Sequence, residues 1–178
     1  MRITGGTLCG RQVKVPPGII RPAMDCMRES VFARLGDLTG CSFLDLFSGS
    51  GIIALEAASR GAAVLEAVEA DPLKRAPLLS AVSLSPVRIQ CRFMAVELYI
   101  RRAHGAFDII FCDPPFHYQF KQDLIQKIAA SPLAKGGTRL LLHRPRKEIR
   151  ADSAQLNWEE SREYGRSVVD FFVCTKAL

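Results

Sequence analysis

Short apolar runs alternate with helical segments through most of the chain. Each run has the length of a buried strand, and the segments between the runs, about ten residues each, have helical patterns. This alternation predicts a doubly wound, mostly parallel α/β sheet. A closing segment around Tyr164-Gly165-Arg166 reads as two more strands and should add an antiparallel hairpin at the edge of a seven-stranded sheet. The five predicted inner strands are 41–47, 63–71, 87–93, 107–112 and 138–143, and the helices between them are 51–62, 72–84, 95–103 and 118–131.

The first 36 residues follow a different pattern, in which β-like pieces and glycines precede a single helix. Residues 1–18 predict a hairpin or an extended arm that ends in Pro-Pro-Gly. Residues 25–35 predict a helix that begins at Asp25 and ends at a glycine, with its apolar positions on one face. Arg28 and Arg34 fall on the opposite face of this helix.

Positive charge is concentrated in this N-terminal region. The net charge of the chain is +6, and residues 1–36 hold six basic side chains against two acidic ones. A basic end predicts a polyanionic partner, with nucleic acid as the first candidate, although a charged face that meets only water gives the same pattern. We therefore divide the chain into a small basic extension, 1–36, and a main domain, 37–178, that fold as one unit. The predicted nucleic-acid contacts are Arg2, Arg11, Lys14, Arg21 and Arg28.

Length and composition are those of a single globular domain. The 178 residues are 48% hydrophobic and 24% charged, and the opening MRITGG lacks the apolar core of a signal peptide. The six cysteines are scattered without a C-x-x-C pair, which favours free thiols over a zinc site or a disulfide framework. We expect a cytoplasmic monomer that needs no metal.

A glycine turn follows the first predicted strand, in LDLFSGSGIIALEA. Gly49, Ser50 and Gly51 allow the main chain to approach a ligand closely where a helix begins. Glu69 lies about twenty residues further on, at the end of the second strand, where a carboxylate can accept hydrogen bonds from both hydroxyls of a ribose. A glycine turn with an acid at a strand end indicates a nucleoside-containing cofactor.

Two cofactors fit this loop. Residues 49–54 match G-x-G-x-x-G/A, the dinucleotide fingerprint, which is weak evidence by itself. S-adenosylmethionine has no pyrophosphate, and its ammonium group needs a carboxylate or carbonyls near the loop. Asp45, inside an otherwise apolar strand, can meet that need directly or through water, and a buried acid without a role is costly. The alternative is that Asp45 only accepts hydrogen bonds from the N–H groups of the loop.

The fourth inner strand ends in an acid, two prolines and an aromatic ring. The strand order places this end beside the first strand, so Asp113 and Phe116 should lie next to the reactive end of the cofactor. Asp113 and the Pro114 carbonyl can both accept hydrogen bonds from one planar NH₂ group, and a base can stack on Phe116. Two acceptors direct the nitrogen lone pair at a methyl sulfonium, so positioning and electrostatics supply most of the catalysis. The motif predicts an amino-methyltransferase; the alternative is a rigid loop with a core phenylalanine.

These residues together resemble the RsmD-type family of bacterial small-subunit (16S) ribosomal RNA guanine-N2 methyltransferases. The similarity covers essentially the whole chain. The motifs that carry it are RITGG…GR, RP…D..RES.F, LDLFSGSG…LEA, EAD and DPPF. The resemblance implies a class I, Rossmann-like, S-adenosylmethionine-dependent fold. It also implies methylation of the exocyclic amine of a guanine in 16S ribosomal RNA, within an assembled or partly assembled 30S subunit.

The resemblance also implies roles for matching residues. Asp113, Pro114 and Phe116 would hold the base, and Gly5, Gly6 and Gly10 would shape an RNA-facing arm charged by Arg11, Arg21 and Arg28. The cofactor-binding set that we predict is Asp45, Phe47, Gly49, Ser50, Gly51, Glu69, Ala70, Phe93 and Met94. His117 and Tyr118 rank below Phe116 as flanks of the base pocket, and Trp158 is expected in the core.

Some positions depart from the family pattern. Phe93-Met94 stands where the family usually has Asp or Asn followed by Ala in contact with the adenine, so a main-chain amide and a stacked side chain would replace the polar contact. Four positions lack the usual threonines or arginines, which predicts weaker RNA binding unless the basic run 143–150 compensates. These positions are Ala23, Met24, Cys9 and Cys26.

Three other functions stay open. An adenine in DNA could be the acceptor, although DNA enzymes usually add a target-recognition domain. A glutamine-modifying protein methyltransferase usually has Asn where Asp113 stands here. The chain could also be a non-catalytic RNA-binding module that keeps a vestigial cofactor fold, and the altered Phe93-Met94 favours that view.

Overall fold

The computed structural model describes residues 1–13 and 22–177, with the main chain alone for 22–24. Its strands are β1 (Ser42–Leu46), β2 (Val64–Glu69), β3 (Ile89–Phe93), β4 (Ile109–Cys112), β5 (Arg139–Pro145), β6 (Leu156–Tyr164) and β7 (Ser167–Cys174). Its helices are α1 (Pro22–Leu35), α2 (Ile52–Ser59), α3 (Arg75–Val82), α4 (Val96–Arg101) and α5 (Lys121–Ala130), with a 3₁₀ turn at Pro72–Lys74.

The strands form one seven-stranded sheet in the order β3-β2-β1-β4-β5-β7-β6. The first five of these pair in parallel, whereas β7 is antiparallel to both β5 and β6. This confirms the predicted doubly wound sheet and its antiparallel edge hairpin. Leu46 is opposite both Val68 and Cys112, so the segments that leave β1 and β4 begin side by side.

Apolar residues fill both faces of the sheet. One core lies under α1, α2 and α3 and includes Phe43, and the other lies under α4 and α5 and includes Leu44 and Leu46. Successive side chains of a strand point to opposite faces, so Asp45 shares the face of Phe43. The acid therefore occupies a core position against α2.

Helix α1 begins at Pro22, three residues before the predicted start at Asp25. Proline suits a first helical turn because the missing N–H would have no partner there. The predicted apolar face is confirmed, since Met27, Val31, Phe32 and Leu35 are buried. Arg28 is a correction to the predicted charged face, because its side chain is fully buried.

The N-terminal segment, residues 1–13, folds back on itself and lies on α2. Arg2 pairs with Gln12 in an antiparallel bridge, which agrees with the predicted hairpin. The Thr7 N–H donates to the Ser59 carbonyl at 2.7 Å. Gly6 has φ 76°, and a Cβ atom there would overlap the main-chain carbonyl of Ser59. Glycine at this position therefore allows the segment to sit directly on the helix.

Trp158 is a second correction, because 43% of its surface is exposed and the expected core position is wrong. Its ring is covered on one face by the Arg150 guanidinium, 4.3 Å from the ring centroid.

Among the residues that the structure describes, no helix combines the length and the apolar character that crossing a bilayer requires.

Candidate active site

A pocket of about 450 Å³ opens where β1 and β4 end. The Asp113 N–H donates to the Leu46 carbonyl at 3.2 Å and extends the parallel pairing by one residue. The glycine loop that follows β1 and the acid-proline motif that follows β4 consequently face the same space. Its walls are formed by Met1, Asp45, Phe47, Ser48, Gly49, Ser50, Ile52, Ile53, Glu69, Lys74, Asp113, Pro114, Pro115, Phe116, His117 and His143.

The glycine loop turns sharply between β1 and α2. Phe47 has φ 61°, which is rare for a residue with a side chain, and Gly49 and Gly51 also have positive φ values. A Cβ atom at Gly51 would lie 3.1 Å from a methyl group of Leu78 and 3.3 Å from one of Val82. Glycine is therefore needed at position 51 both for its backbone angle and for the close approach of α3.

Asp45 lies beneath this loop with 1% of its surface exposed. Its Oδ2 atom accepts hydrogen bonds from the Ser48 hydroxyl at 2.6 Å and from the Ala54 N–H at 3.2 Å. Oδ1 is buried and has no hydrogen-bond partner within the described parts of the chain. Burial, together with the weaker effect of the negative charges of Asp113 and Glu69, raises the pKa of Asp45 to about 7 against the lowering effect of its hydrogen bonds.

Glu69 connects the second strand to the glycine loop. One carboxylate oxygen accepts the Gly49 N–H at 2.7 Å, and the other accepts the Asp71 N–H at 2.8 Å. The Lys74 ammonium lies 3.8 Å from the first oxygen. Because a carboxylate offers about four lone-pair sites, Glu69 can hold the loop and still accept a ligand hydroxyl.

The acid-proline motif is held by side chains from β5 and α5. Asp113 Oδ1 is 2.7 Å from His143 Nδ1, and the rings of Phe116 and His143 meet edge to face with centroids 5.4 Å apart. The Lys121 ammonium donates to the carbonyls of Phe116 and Tyr118, at 3.1 and 2.5 Å. The orientation of the motif is therefore determined by contacts on two sides.

His143 was missed as a site residue because the sequence placed it only at the start of a basic run. A usable signal existed, since it lies near the carboxyl end of β5, beside β4, where ligands bind in such sheets. Its side chain is buried, and Nε2 has no hydrogen-bond partner among the residues described.

Part of the predicted cofactor set does not line this pocket. Ala70 is exposed next to Glu69. The Phe93 ring lies under the Arg75 guanidinium at 4.6 Å, and Met94 packs against the second core. Contacts of these three residues with an adenine stay a prediction.

The predicted RNA contacts fall into three groups. Arg2 and Arg11 are exposed on the N-terminal hairpin, whose first residue, Met1, lines the pocket. Lys14 and Arg21 lie outside the described residues.

Arg28 forms the third group. Its guanidinium donates to Asp25 Oδ1 at 2.8 Å, to the Arg2 carbonyl at 2.7 Å and to Glu56 Oε1 at 3.4 Å. A buried and bonded guanidinium cannot reach a phosphate, so we correct its expected RNA contact to a structural role.

The residues present fit a cofactor that carries an ammonium group. The buried Oδ1 of Asp45 is an acceptor at the wall of the pocket, and Gly49 and Ser50 offer little side chain to obstruct a ligand. At the same edge of the sheet, Glu69 supplies carboxylate oxygens that can accept hydrogen bonds from the hydroxyls of a ligand. This donor and acceptor set favours S-adenosylmethionine over a dinucleotide, since the Gly49 N–H is already bound to Glu69 and not directed at a phosphate.

Comparison with known families gives a match over nearly the whole chain. The model of the family described as Conserved hypothetical protein 95 matches residues 1–173. The chain is 32% identical over 129 residues to "Ribosomal RNA small subunit methyltransferase D" of Escherichia coli K12, which covers 70% of this chain and 65% of that protein. The matched part thus spans somewhat less than two thirds of that relative. A shorter match of 81 residues, 32% identical, is to "tRNA1(Val) (adenine(37)-N6)-methyltransferase" of Shewanella loihica and covers 42% of this chain and 33% of that protein.

Solved structures share the fold. The candidate methyltransferase yhhF of E. coli superposes with a TM-score of 0.88 at 24% identity, over 99% of both chains. The Thermus thermophilus protein TTHA0928 gives 0.81 at 27% identity, again over 99% of both. A candidate methyltransferase complexed with SAH, SMU.776, gives 0.70 at 17% identity over 86% of this chain and 50% of that one.

Proposed function

The chain belongs to the family described as Conserved hypothetical protein 95, the RsmD-type family, and from that premise we propose that it is an S-adenosylmethionine-dependent ribosomal RNA methyltransferase. We propose further that the acceptor is the exocyclic N2 amine of a guanine in 16S ribosomal RNA, presented by an assembled or partly assembled 30S subunit. The enzyme acts as a cytoplasmic monomer.

One observation carries this proposal. The glycine loop with its buried acid, Asp45, and the acid-proline-aromatic motif at Asp113 open into one pocket, at adjacent strand ends. A cofactor held by the first and a planar base held by the second would meet there. A dinucleotide-dependent hydride transfer gives no use to Asp113 and the Pro114 carbonyl.

Asp113 and Phe116 hold the base in this proposal. Asp113 keeps one carboxylate oxygen, Oδ2, that makes no hydrogen bond to the described residues, and this oxygen accepts an N–H of the amine. The carbonyl of Pro114 accepts the other N–H, and the base stacks on the Phe116 ring. Both acceptors draw the amine hydrogens away from the ring plane, so the nitrogen lone pair points toward the cofactor.

Asp45 and Glu69 position the cofactor. Asp45 Oδ1 accepts the ammonium group and Glu69 the ribose hydroxyls. When bound, S-adenosylmethionine would supply an electrophilic methyl group on a sulfonium, whose carbon–sulfur bond breaks to leave a neutral thioether as the amine nitrogen takes the methyl group. The methylated nitrogen is then acidic enough to lose its proton to Asp113 or water, so a strong base is unnecessary. Catalysis comes mainly from positioning and from negative charge near the developing cation.

The decisive test is Asp113→Ala. Removal of the carboxylate should abolish methyl transfer, a loss of at least about 10²-fold as for one missing electrostatic stabiliser, while S-adenosylmethionine still binds. Methyl transfer is measured with radiolabelled cofactor on 30S particles from a strain that lacks this protein, and cofactor binding is measured by calorimetry. Asp123→Ala, an exposed acid of α5 paired with Lys127, is the matched control and should keep full activity.

The same assay decides between acceptors. Mass spectrometry of digested nucleosides should find N2-methylguanosine in 16S ribosomal RNA. N6-methyladenine in RNA or DNA would overturn the guanine proposal but keep the amino-methyl chemistry, and cofactor binding without transfer to any substrate would favour a non-catalytic RNA-binding module. Normal turnover by Asp113→Ala would refute the base-holding role.

A further inference from the structure

A buried histidine completes the wall of the pocket, and the mechanism above leaves it without a role. His143 is 3% exposed, and its Nδ1 atom lies 2.7 Å from Asp113 Oδ1. Its Nε2 atom is buried and, within the described chain, has no hydrogen-bond partner. A buried polar atom without a hydrogen-bond partner lowers stability, so stability alone does not explain a histidine at this position.

The contact with Asp113 determines where the imidazole carries its proton. An ionised carboxylate can only accept hydrogen bonds, so Nδ1 of His143 must be the donor. The proton is then on Nδ1, and Nε2 can remain without one.

The same imidazole contacts both groups that hold the base. It binds Oδ1 of Asp113, which leaves Oδ2 for the amine, and its ring meets the Phe116 ring edge to face at 67°. We propose that His143 is a positioning residue for methyl transfer, whose Nδ1–H fixes the Asp113 carboxylate and whose ring fixes Phe116. The inference rests on the proposed amino-methyltransferase function.

The main chain of the motif is held by other contacts, so His143 acts on the side chains. The Asp113 N–H is bound to the Leu46 carbonyl, and Lys121 binds the Phe116 carbonyl. The neighbouring Arg144 is paired with the buried Asp170 at 2.5 and 2.9 Å, which anchors β5 independently. Loss of the imidazole should therefore leave the motif in place and its carboxylate free to rotate.

His143→Leu and His143→Asn test this role as a matched pair. The Asn amide nitrogen branches from the same carbon as His Nδ1 and can donate to Asp113, whereas Leu has nearly the same shape without a donor. We expect His143→Leu to lower kcat about a hundredfold, the loss that misplacement by about 1 Å produces, and His143→Asn to lose less than about tenfold. The KM for S-adenosylmethionine should stay within about twofold in both variants. His104→Leu, at an exposed histidine away from the pocket, should keep native turnover.

Equal losses in the Leu and Asn variants would overturn the role of the Nδ1–H in fixing Asp113, and a loss confined to cofactor KM would overturn the positioning role as a whole. Absence of methyl transfer by the native protein would instead refute the proposed function. A measurement that needs no substrate separates these two outcomes. It also keeps the proposal testable if the Leu variant does not fold. Nitrogen-15 spectra of the native imidazoles should show His143 protonated at Nδ1, and Asp113→Ala should alter that signal; an unaltered signal would refute the His143–Asp113 contact.

Discussion

At the scale of single residues, Asp45 shows how the site departs from the rule of an apolar core. The alternation of side chains along β1 places Asp45 on the same face as Phe43, which lies in the core. One oxygen of its carboxyl group has no hydrogen-bond partner among the described residues. Its pKa is raised to about 7, so the folded protein disfavours its charge. Such a group costs stability and is retained where a ligand can use it.

Asp45→Asn should therefore separate stability from cofactor binding. Between about pH 4 and 7 the folded state keeps a proton on Asp45 that the unfolded chain has lost, so this group's contribution to stability is present at low pH and disappears as pH rises to 7. We expect the variant to melt about 2–4 °C above the native protein at pH 8, a shift that corresponds to roughly 1 kcal/mol, with a smaller difference at pH 5. Calorimetric scans at both pH values measure this.

The same variant should bind S-adenosylmethionine at least about tenfold more weakly at pH 8, because a hydrogen bond to a charged group contributes about 1.5–3 kcal/mol. Native affinity should fall as pH drops below 7, since Asp45 then gains a proton. Asp123→Asn provides the control for both measurements. Unchanged cofactor affinity in Asp45→Asn would mean that Asp45 only supports the loop.

At the scale of elements, the N-terminal segment is attached to α2 and α1 by a buried ionic cluster. Glu56 and Arg28 are both fully buried, with Nε of the arginine 3.4 Å from Oε1. Oε1 also accepts the Thr4 N–H at 2.6 Å, and Oε2 lies 3.4 Å from Arg60. The cluster joins the predicted extension to the main domain, so the two should fold together, which stays a prediction.

Glu56→Ala should release or unfold this region. Removing one partner of a buried pair leaves an uncompensated charge. The free energy of unfolding, measured with urea, should therefore fall by about 3 kcal/mol. Hydrogen exchange at residues 1–13 should rise at the same time. Glu159→Ala removes an exposed partner of Arg34 and should cost at most about 1 kcal/mol. Equal effects of the two variants would contradict a structural role for the buried cluster.

At the scale of the whole molecule, positive charge and the pocket are on connected surfaces. The hairpin that exposes Arg2 and Arg11 begins at Met1, which lines the pocket. An RNA backbone along the hairpin could therefore deliver a base to the motif at Asp113. Phosphate contacts of this kind give affinity and register, whereas the choice of base depends on the pocket.

Arg11→Ala should weaken RNA binding in a salt-dependent way. Removing one interaction between an arginine and a phosphate reduces the slope of log K against log salt by about 1. Titrations of a 16S ribosomal RNA fragment at several salt concentrations measure the slope. Arg88→Ala removes an exposed charge at the amino end of β3, whereas the pocket lies at the carboxyl ends of the strands. This variant should leave the slope unchanged. If both variants gave the same slope, the RNA would lie on another surface.

Local patterns predicted the fold and much of the pocket. Short apolar runs separated by helices indicated the parallel sheet, and the rule for strand ends placed Asp45, Glu69 and Asp113 around one site. The prediction that Arg28 contacts RNA was based on charge alone and is corrected by the structure. Composition does not reveal that Glu56, distant in sequence, lies against this arginine. Trp158 was misplaced because hydrophobic character does not decide which face of an edge strand is covered.

The sequence by itself determined the class of fold, the glycine loop and the acid-proline-aromatic motif, because these depend on backbone angles and side-chain periods within a few residues of one another. Only the tertiary structure decided that His143 holds Asp113 and that Arg28 is internal. These contacts join residues 30 and 28 positions apart. Which side chains meet across such distances depends on strand register and helix packing, and no local pattern contains that information.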